Sequence, residues 1–174
     1  MLNNHKRIFL IGHSGAGKGV LAEAVAKKLG WKYVNADYAL APSIGRGTTE
    51  ILGEQGDAAF QNCLSQILER LTQEDSIVVC TDDSIVCSAH NRKLLPKEFT
   101  VYVAVSIEVQ LERISNFRPL LPCKDYKAFL QNLRDERDAL YEQSAAFMLS
   151  SDNGDIDAHA QQIIDAFKNK SVGI

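Results

Sequence analysis

Between its first apolar run and its first long periodic segment the chain reads Gly12-His13-Ser14-Gly15-Ala16-Gly17-Lys18. Glycines spaced this way let backbone N–H groups turn inward around an anion, and the lysine places a mobile positive charge beside them. Arg7 to Ile11, just upstream, reads as a short β-branched and aromatic strand. Gly17 to Leu29, downstream, carries apolar side chains at Val20, Leu21, Ala24, Val25 and Leu29, which is helical spacing. A glycine-rich turn between a strand and a helix N-terminus binds phosphate, because the helix dipole adds to the backbone donors. Nucleotide contacts are therefore expected from Gly12, Ser14, Gly15, Ala16, Gly17, Lys18, Gly19 and Val20. His13 and Ser14 fill variable positions of such a loop and read as spacers with no chemical role of their own. The hydroxyl residue that ordinarily follows the lysine and holds Mg²⁺ is Gly19 here, and Val20 after it supplies none.

Acids and arginines further along could complete a phosphate chemistry. Asp37 follows the second strand candidate, where it serves either as a carboxylate at the site or as the cap of a following helix. Ile77-Val78-Val79-Cys80-Thr81-Asp82-Asp83 is an apolar strand ending in two acids. Asp82 and Asp83 thus read either as Mg²⁺ ligands, as at the metal-holding strand of many phosphate-loop proteins, or as solvated turn residues. Arg137 stands among Arg134, Asp135, Glu136 and Asp138, a pattern that by itself reads as a solvated helix face.

The elements that must position these residues alternate in type. Strands are expected near Trp31 to Val34, Ser76 to Cys80, Thr100 to Val105 and Phe147 to Ser150. Helices are expected over Thr48 to Leu71, broken near Gly53 and Gly56, then through Arg113, from about Asp125 to Ala146, and from Asp157 to Lys168. That alternation predicts an α/β fold, one domain over residues 1–174 with a five-stranded parallel sheet flanked by helices and ligands at the carboxyl ends of the strands.

With 174 residues, 45% hydrophobic and 24% charged, the chain suits one buried core and excludes disorder or a collagen-like repeat. A net charge of −3 with its basic residues dispersed offers no stripe for nucleic acid. The apolar run Ile8 to Ile11 is too short for a membrane span or a signal core, so no membrane partner is expected. Cys63, Cys80, Cys87 and Cys123 have no metal spacing and read as reduced thiols of a cytoplasmic protein.

From the loop onward the sequence resembles the shikimate kinases, phosphate-loop enzymes that phosphorylate a hydroxyl of a small carboxylic acid. The likeness runs through Asn35-Ala36-Asp37, Gly45-Arg46, Gly56 to Phe60, Arg118-Pro119-Leu120-Leu121 and Arg137 to Tyr141, in the family's order. It implies a nucleoside-monophosphate-kinase-like fold, with ATP and Mg²⁺ as cofactors. It implies catalytic roles for Lys18, Asp37 and Arg118, with a lid at about 114–124 and Arg113 at the nucleotide. It also implies substrate contacts from Asp37 to a hydroxyl and from Arg137 to a carboxylate. Departures are equally specific: Asn35 replaces the family's first aspartate, Gln61 its second carboxylate-binding arginine, and Asp82-Asp83-Ser84 its triple glycine. Losing one member of a desolvated charge pair costs on the order of 2–5 kcal/mol, roughly two decades of affinity or more, so shikimate itself is expected to be a poor substrate. The expected function is phosphate transfer from ATP to a hydroxyl of a small metabolite by a monomer. The alternative is a catalytically impaired scaffold used for nucleotide sensing or for binding a protein partner. A nucleoside-monophosphate kinase ranks behind both.

Overall fold

Strand β1 (Arg7–Ile11) sets the two faces of the sheet, because successive side chains of a strand point opposite ways. Ile8 and Leu10 join Val78, Cys80, Val101 and Val103 in one buried cluster, while Phe9 and Ile11 join Ile77, Val79 and Tyr102 in another. A strand buried on both faces must be apolar at every position, which explains why Ile8 to Ile11 shows no alternation. The computed structural model describes residues 6–37, 48–117 and 126–172.

The other strands are β2 (Lys32–Ala36), β3 (Ile77–Thr81), β4 (Phe99–Ala104) and β5 (Phe147–Ser150). All pair in parallel, in the order β2-β3-β1-β4-β5. The order reverses at β1, with its crossovers to either side, so the carboxyl ends of β1 and β3 open a crevice of the kind where ligands bind in such sheets.

Helices α1 (Lys18–Leu29) and α6 (Ile156–Val172) cover one face. Helices α2 (Thr48–Leu71) and α5 (Tyr126–Ser144) cover the other through Leu64, Leu68 and Tyr141. Between them lie α3 (Ala89–Leu94) and α4 (Ile107–Phe117). Helix α1 stops at Gly30, whose left-handed φ of 69° lets its N–H reach the carbonyls of Ala26 and Lys27, and Lys27 and Lys28 face the negative end of the dipole.

Two differences from the expected elements have simple causes. Helix α2 runs unbroken through positions 53 and 56. Glycine costs about 1 kcal/mol of helix propensity but keeps its N–H, so unlike proline it leaves the hydrogen-bond ladder whole. Helix α3 was not anticipated, because six residues are too few to show a period; Ser88 caps it by accepting from the Asn91 N–H at 3.4 Å.

Candidate functional site

The loop between β1 and α1 needs its glycines for two separate reasons. At Gly12, φ is 146° and a Cβ would lie 2.5 Å from the Val103 carbonyl oxygen, so a side chain is excluded by both conformation and space. Gly17, at φ 87°, is the left-handed residue that starts α1. Lys18 folds back into the loop, its Nζ donating to the carbonyls of Gly12 at 2.8 Å and His13 at 3.0 Å, and it is almost wholly buried. From outside, Gln110 Nε2 donates to Ser14 O, Arg113 Nη1 to the carbonyls of Gly15 and Ala16, and Ser151 Oγ to Ala16 O. These bonds fix the loop's peptide planes.

His13 is not a spacer. It is 2% exposed, its Nε2 lies 2.5 Å from Asp138 Oδ1, and its ring meets Tyr141 edge-on at 4.9 Å. Burial lowers the imidazole pKa and Asp138 opposes that shift. His13 therefore ties the loop to α5, and a glycine-rich string gave no sign of it because Asp138 is 125 residues away.

Beside the loop opens a cavity of about 290 Å³, lined by Ser14, Gly15, Gly17, Lys18, Gly19, Val20, Tyr33, Asn35, Asp37, Cys80, Arg113 and Ile114. It contains nearly all of the expected nucleotide residues; Gly12 and Ala16 lie behind it. A Cβ at Gly19 would meet the Tyr33 hydroxyl at 3.4 Å and Cys80 Sγ at 3.9 Å. The side of the loop that lacks its own hydroxyl thus faces that of Tyr33. Burial pushes Tyr33 up to about 12 and Cys80 up to about 11, so both stay protonated near neutral pH. Tyr33 escaped the sequence reading, since a strand tyrosine reads as core.

Asp37, Asp82 and Asp83 converge at the carboxyl ends of β2 and β3, with one carboxylate oxygen from each within 4.8 Å of the others. Asp82 is 1% exposed, which removes the reading of a solvated turn residue for it. Burial raises Asp37 to about 6, with the charges of Asp82 and Asp83 adding to the shift and Lys18 opposing it. Burial also raises Asp82, as does Asp83, while donation from the Ser84 N–H and hydroxyl opposes the shift. Asp37 Oδ1 is buried and has no hydrogen-bond partner. Three hard oxygen donors, one of them an unpartnered buried atom, suit Mg²⁺.

Next to the acids, Arg137 Nη1 donates to Asp83 Oδ2 at 3.1 Å, and Tyr141 donates to the Asp83 carbonyl. Arg137 is not the solvated helix charge that its neighbours in sequence suggested; its side chain is 15% exposed. Gln61 Nε2 donates to Ser84 Oγ at 3.0 Å. Of the lid expected at about 114–124, positions 114–117 end α4, while Arg118 and the rest lie outside the described residues, as does the Gly45-Arg46 pair.

A phosphate-binding loop at the switch point of a parallel sheet, with acids at the neighbouring strand ends, defines the phosphate-loop class of nucleotide-binding proteins. A sequence model described as shikimate kinase matches residues 14–168. Shikimate kinases of Halorhodospira halophila and Legionella pneumophila strain Corby are each 33% identical to the chain. The first match spans 94% of both sequences, and the second 91% of this chain and 93% of its counterpart. The solved shikimate kinase of Acinetobacter baumannii in complex with shikimate superposes with a TM-score of 0.82 at 26% identity, covering 98% of this chain and 97% of that one. The chain belongs to the shikimate kinase family. These matches lend no support to the alternative of an impaired scaffold. No helix among the described residues is long and apolar enough to cross a membrane.

Proposed function

We propose that the protein transfers the γ-phosphoryl group of ATP to a hydroxyl of a small metabolite. The observation that carries this reading is Lys18 buried in a braced phosphate loop at a cavity that Asp37 also lines. Backbone N–H groups of residues 12–20 would hold the phosphates, with Lys18 turning from the Gly12 and His13 carbonyls to the outer ones. Arg113 borders the same cavity and would meet the nucleotide while bracing the loop. Arg118, if its guanidinium reaches the transferring phosphoryl, stabilises its charge.

The acceptor hydroxyl oxygen attacks the γ-phosphorus as the bond to the bridging β–γ oxygen breaks, releasing ADP. Asp37 orients that hydroxyl and takes its proton; raised to about 6, it is mostly ionised at neutral pH yet basic enough to accept one. Asp82 and Asp83 would hold Mg²⁺ in place of the absent loop hydroxyl and of the acid replaced by Asn35, with Asp37 beside them left to the acceptor hydroxyl. The ion's chemistry there is to neutralise phosphate charge. The protein is read as a cytoplasmic monomer.

The test is titration calorimetry of ATP with and without Mg²⁺, followed by an assay of ADP release with candidate acceptors. Metal-dependent binding with acceptor-dependent ADP release supports the reading, and absence of ATP binding removes it. Asp82→Asn with Asp83→Asn is expected to weaken Mg²⁺-ATP binding more than metal-free ATP binding; equal effects on both would place the ion elsewhere.

A further inference from the structure

The acceptor side of the site is already charge-paired. Arg137 is the cation paired with Asp83, its Nη1 donating to Asp83 Oδ2 at 3.1 Å. Its Nε is buried and has no hydrogen-bond partner. The neighbouring described arginines are committed as well: Arg113 to the loop and Ser151, Arg134 to Gln110 Oε1 and the Val105 carbonyl. Lys18 belongs to the phosphates. With only the described residues to meet it, an anionic acceptor would therefore enter beside Asp37, Asp82 and Asp83 and have to displace Asp83 from Arg137.

The unpartnered atoms point to the complementary chemistry. Asp37 Oδ1 and Gln61 Oε1 are buried acceptors with no donor. They are linked through a chain in which Gln61 donates to Ser84 and Ser84 to Asp82, which stands beside Asp37. Buried acceptors are normally satisfied, and a hydroxyl supplies a proton where a carboxylate offers only more lone pairs.

We propose that Asp83 is a built-in counter-ion of Arg137, and that the acceptor is an uncharged polyhydroxylated compound instead of a carboxylic acid. The inference rests on the phosphotransferase reading and names its substrate class. Asp83 takes the place at Arg137 that an acidic substrate would need, and the compound's hydroxyls donate to Asp37 and Gln61.

Shikimate and its methyl ester provide the probes, since they share a ring and hydroxyls and differ in one charge. Binding of each is measured by calorimetry to the full chain carrying a non-hydrolysable ATP analogue and Mg²⁺. The ester is expected to bind the unmodified protein at least about tenfold more tightly than the acid. Asp83→Asn should improve binding of the acid by about a hundredfold, the scale of freeing one buried charge partner. Adding Arg137→Gln to that variant should remove the gain, which a general relief of repulsion would not predict. Equal or tighter binding of the acid by the unmodified protein overturns the proposal. So does failure of the ester to bind, or a folded Asp83→Asn protein with no gain for the acid. If a variant does not fold, the ester-to-acid ratio of the unmodified protein decides. Bound nucleotide without an ester preference overturns this inference alone, whereas absence of nucleotide binding overturns the phosphotransferase reading beneath it.

Discussion

Lys18 and Asp37 line the same cavity, and each makes a measurable claim. The lysine's donors are held by two carbonyls and can be turned to phosphate oxygens. Charge-assisted hydrogen bonds contribute about 1.5–3 kcal/mol, so Lys18→Ala should weaken ATP binding by roughly one to two decades in calorimetry. A folded variant with unchanged affinity would remove the loop as the site. For Asp37 the sign follows from its raised pKa of about 6 against 3.8 for an ordinary carboxyl. The folded state holds the proton more tightly than the unfolded chain, so stability falls as pH rises from about 4 to about 6. Asp37→Asn cannot ionise there. Its Tm relative to the unmodified protein should therefore climb across that window in EDTA, and Mg²⁺ held by Asp82 and Asp83 should shrink the difference. A flat difference between pH 4 and 7 would show that Asp37 is not held in its protonated form.

The turn between β1 and α1 is shaped by what packs against it as much as by its own glycines. The Val103 carbonyl oxygen of β4 stands 2.5 Å from where a Cβ at Gly12 would be, and a backbone atom cannot swing aside. Gly12→Ala is expected to cost at least about 1–3 kcal/mol in urea unfolding, since a strained φ and a clash with a central strand act together. Loss of ATP binding should accompany it. Nucleotide affinity and stability both near the unmodified values would mean that the turn tolerates a side chain. On its other flank the turn is anchored by His13 to Asp138 and Tyr141 of α5, the helix that also carries Arg137. One helix thus holds both the phosphate loop and, through Arg137, the acids beside it.

Across the molecule, the phosphate loop and the three clustered acids sit where the strand order β2-β3-β1-β4-β5 turns back on itself, on a core covered by helices on both faces. Nucleotide that binds only the folded protein must stabilise all of it. At about a hundred times Kd the gain is about 2.7 kcal/mol, which for a chain of this size raises Tm by roughly 5–11 °C. Scanning calorimetry with Mg²⁺-ATP checks it. Lys18→Ala should lose most of the shift, and a Tm of the unmodified protein that ignores ATP would contradict binding at the loop.

How much of this the residues announce depends on the range of the interaction involved. The phosphate loop, the five strands and the long helices follow from local order: glycine spacing, apolar runs and helical periodicity act over a few residues and are visible in a string. The family pattern marked Asp37, Arg137, Gln61 and the Asp82-Asp83-Ser84 replacement in the same way. The sequence could not say whether Asp82 and Asp83 meet solvent or Asp37, because that depends on β2 and β3 ending side by side. Nor could it say that Asp83 occupies Arg137, 54 residues away, or that His13 is held by Asp138. Those pairings arise when packing removes water from charged and polar groups, and only then does each group's partner determine its protonation and its freedom to meet a ligand.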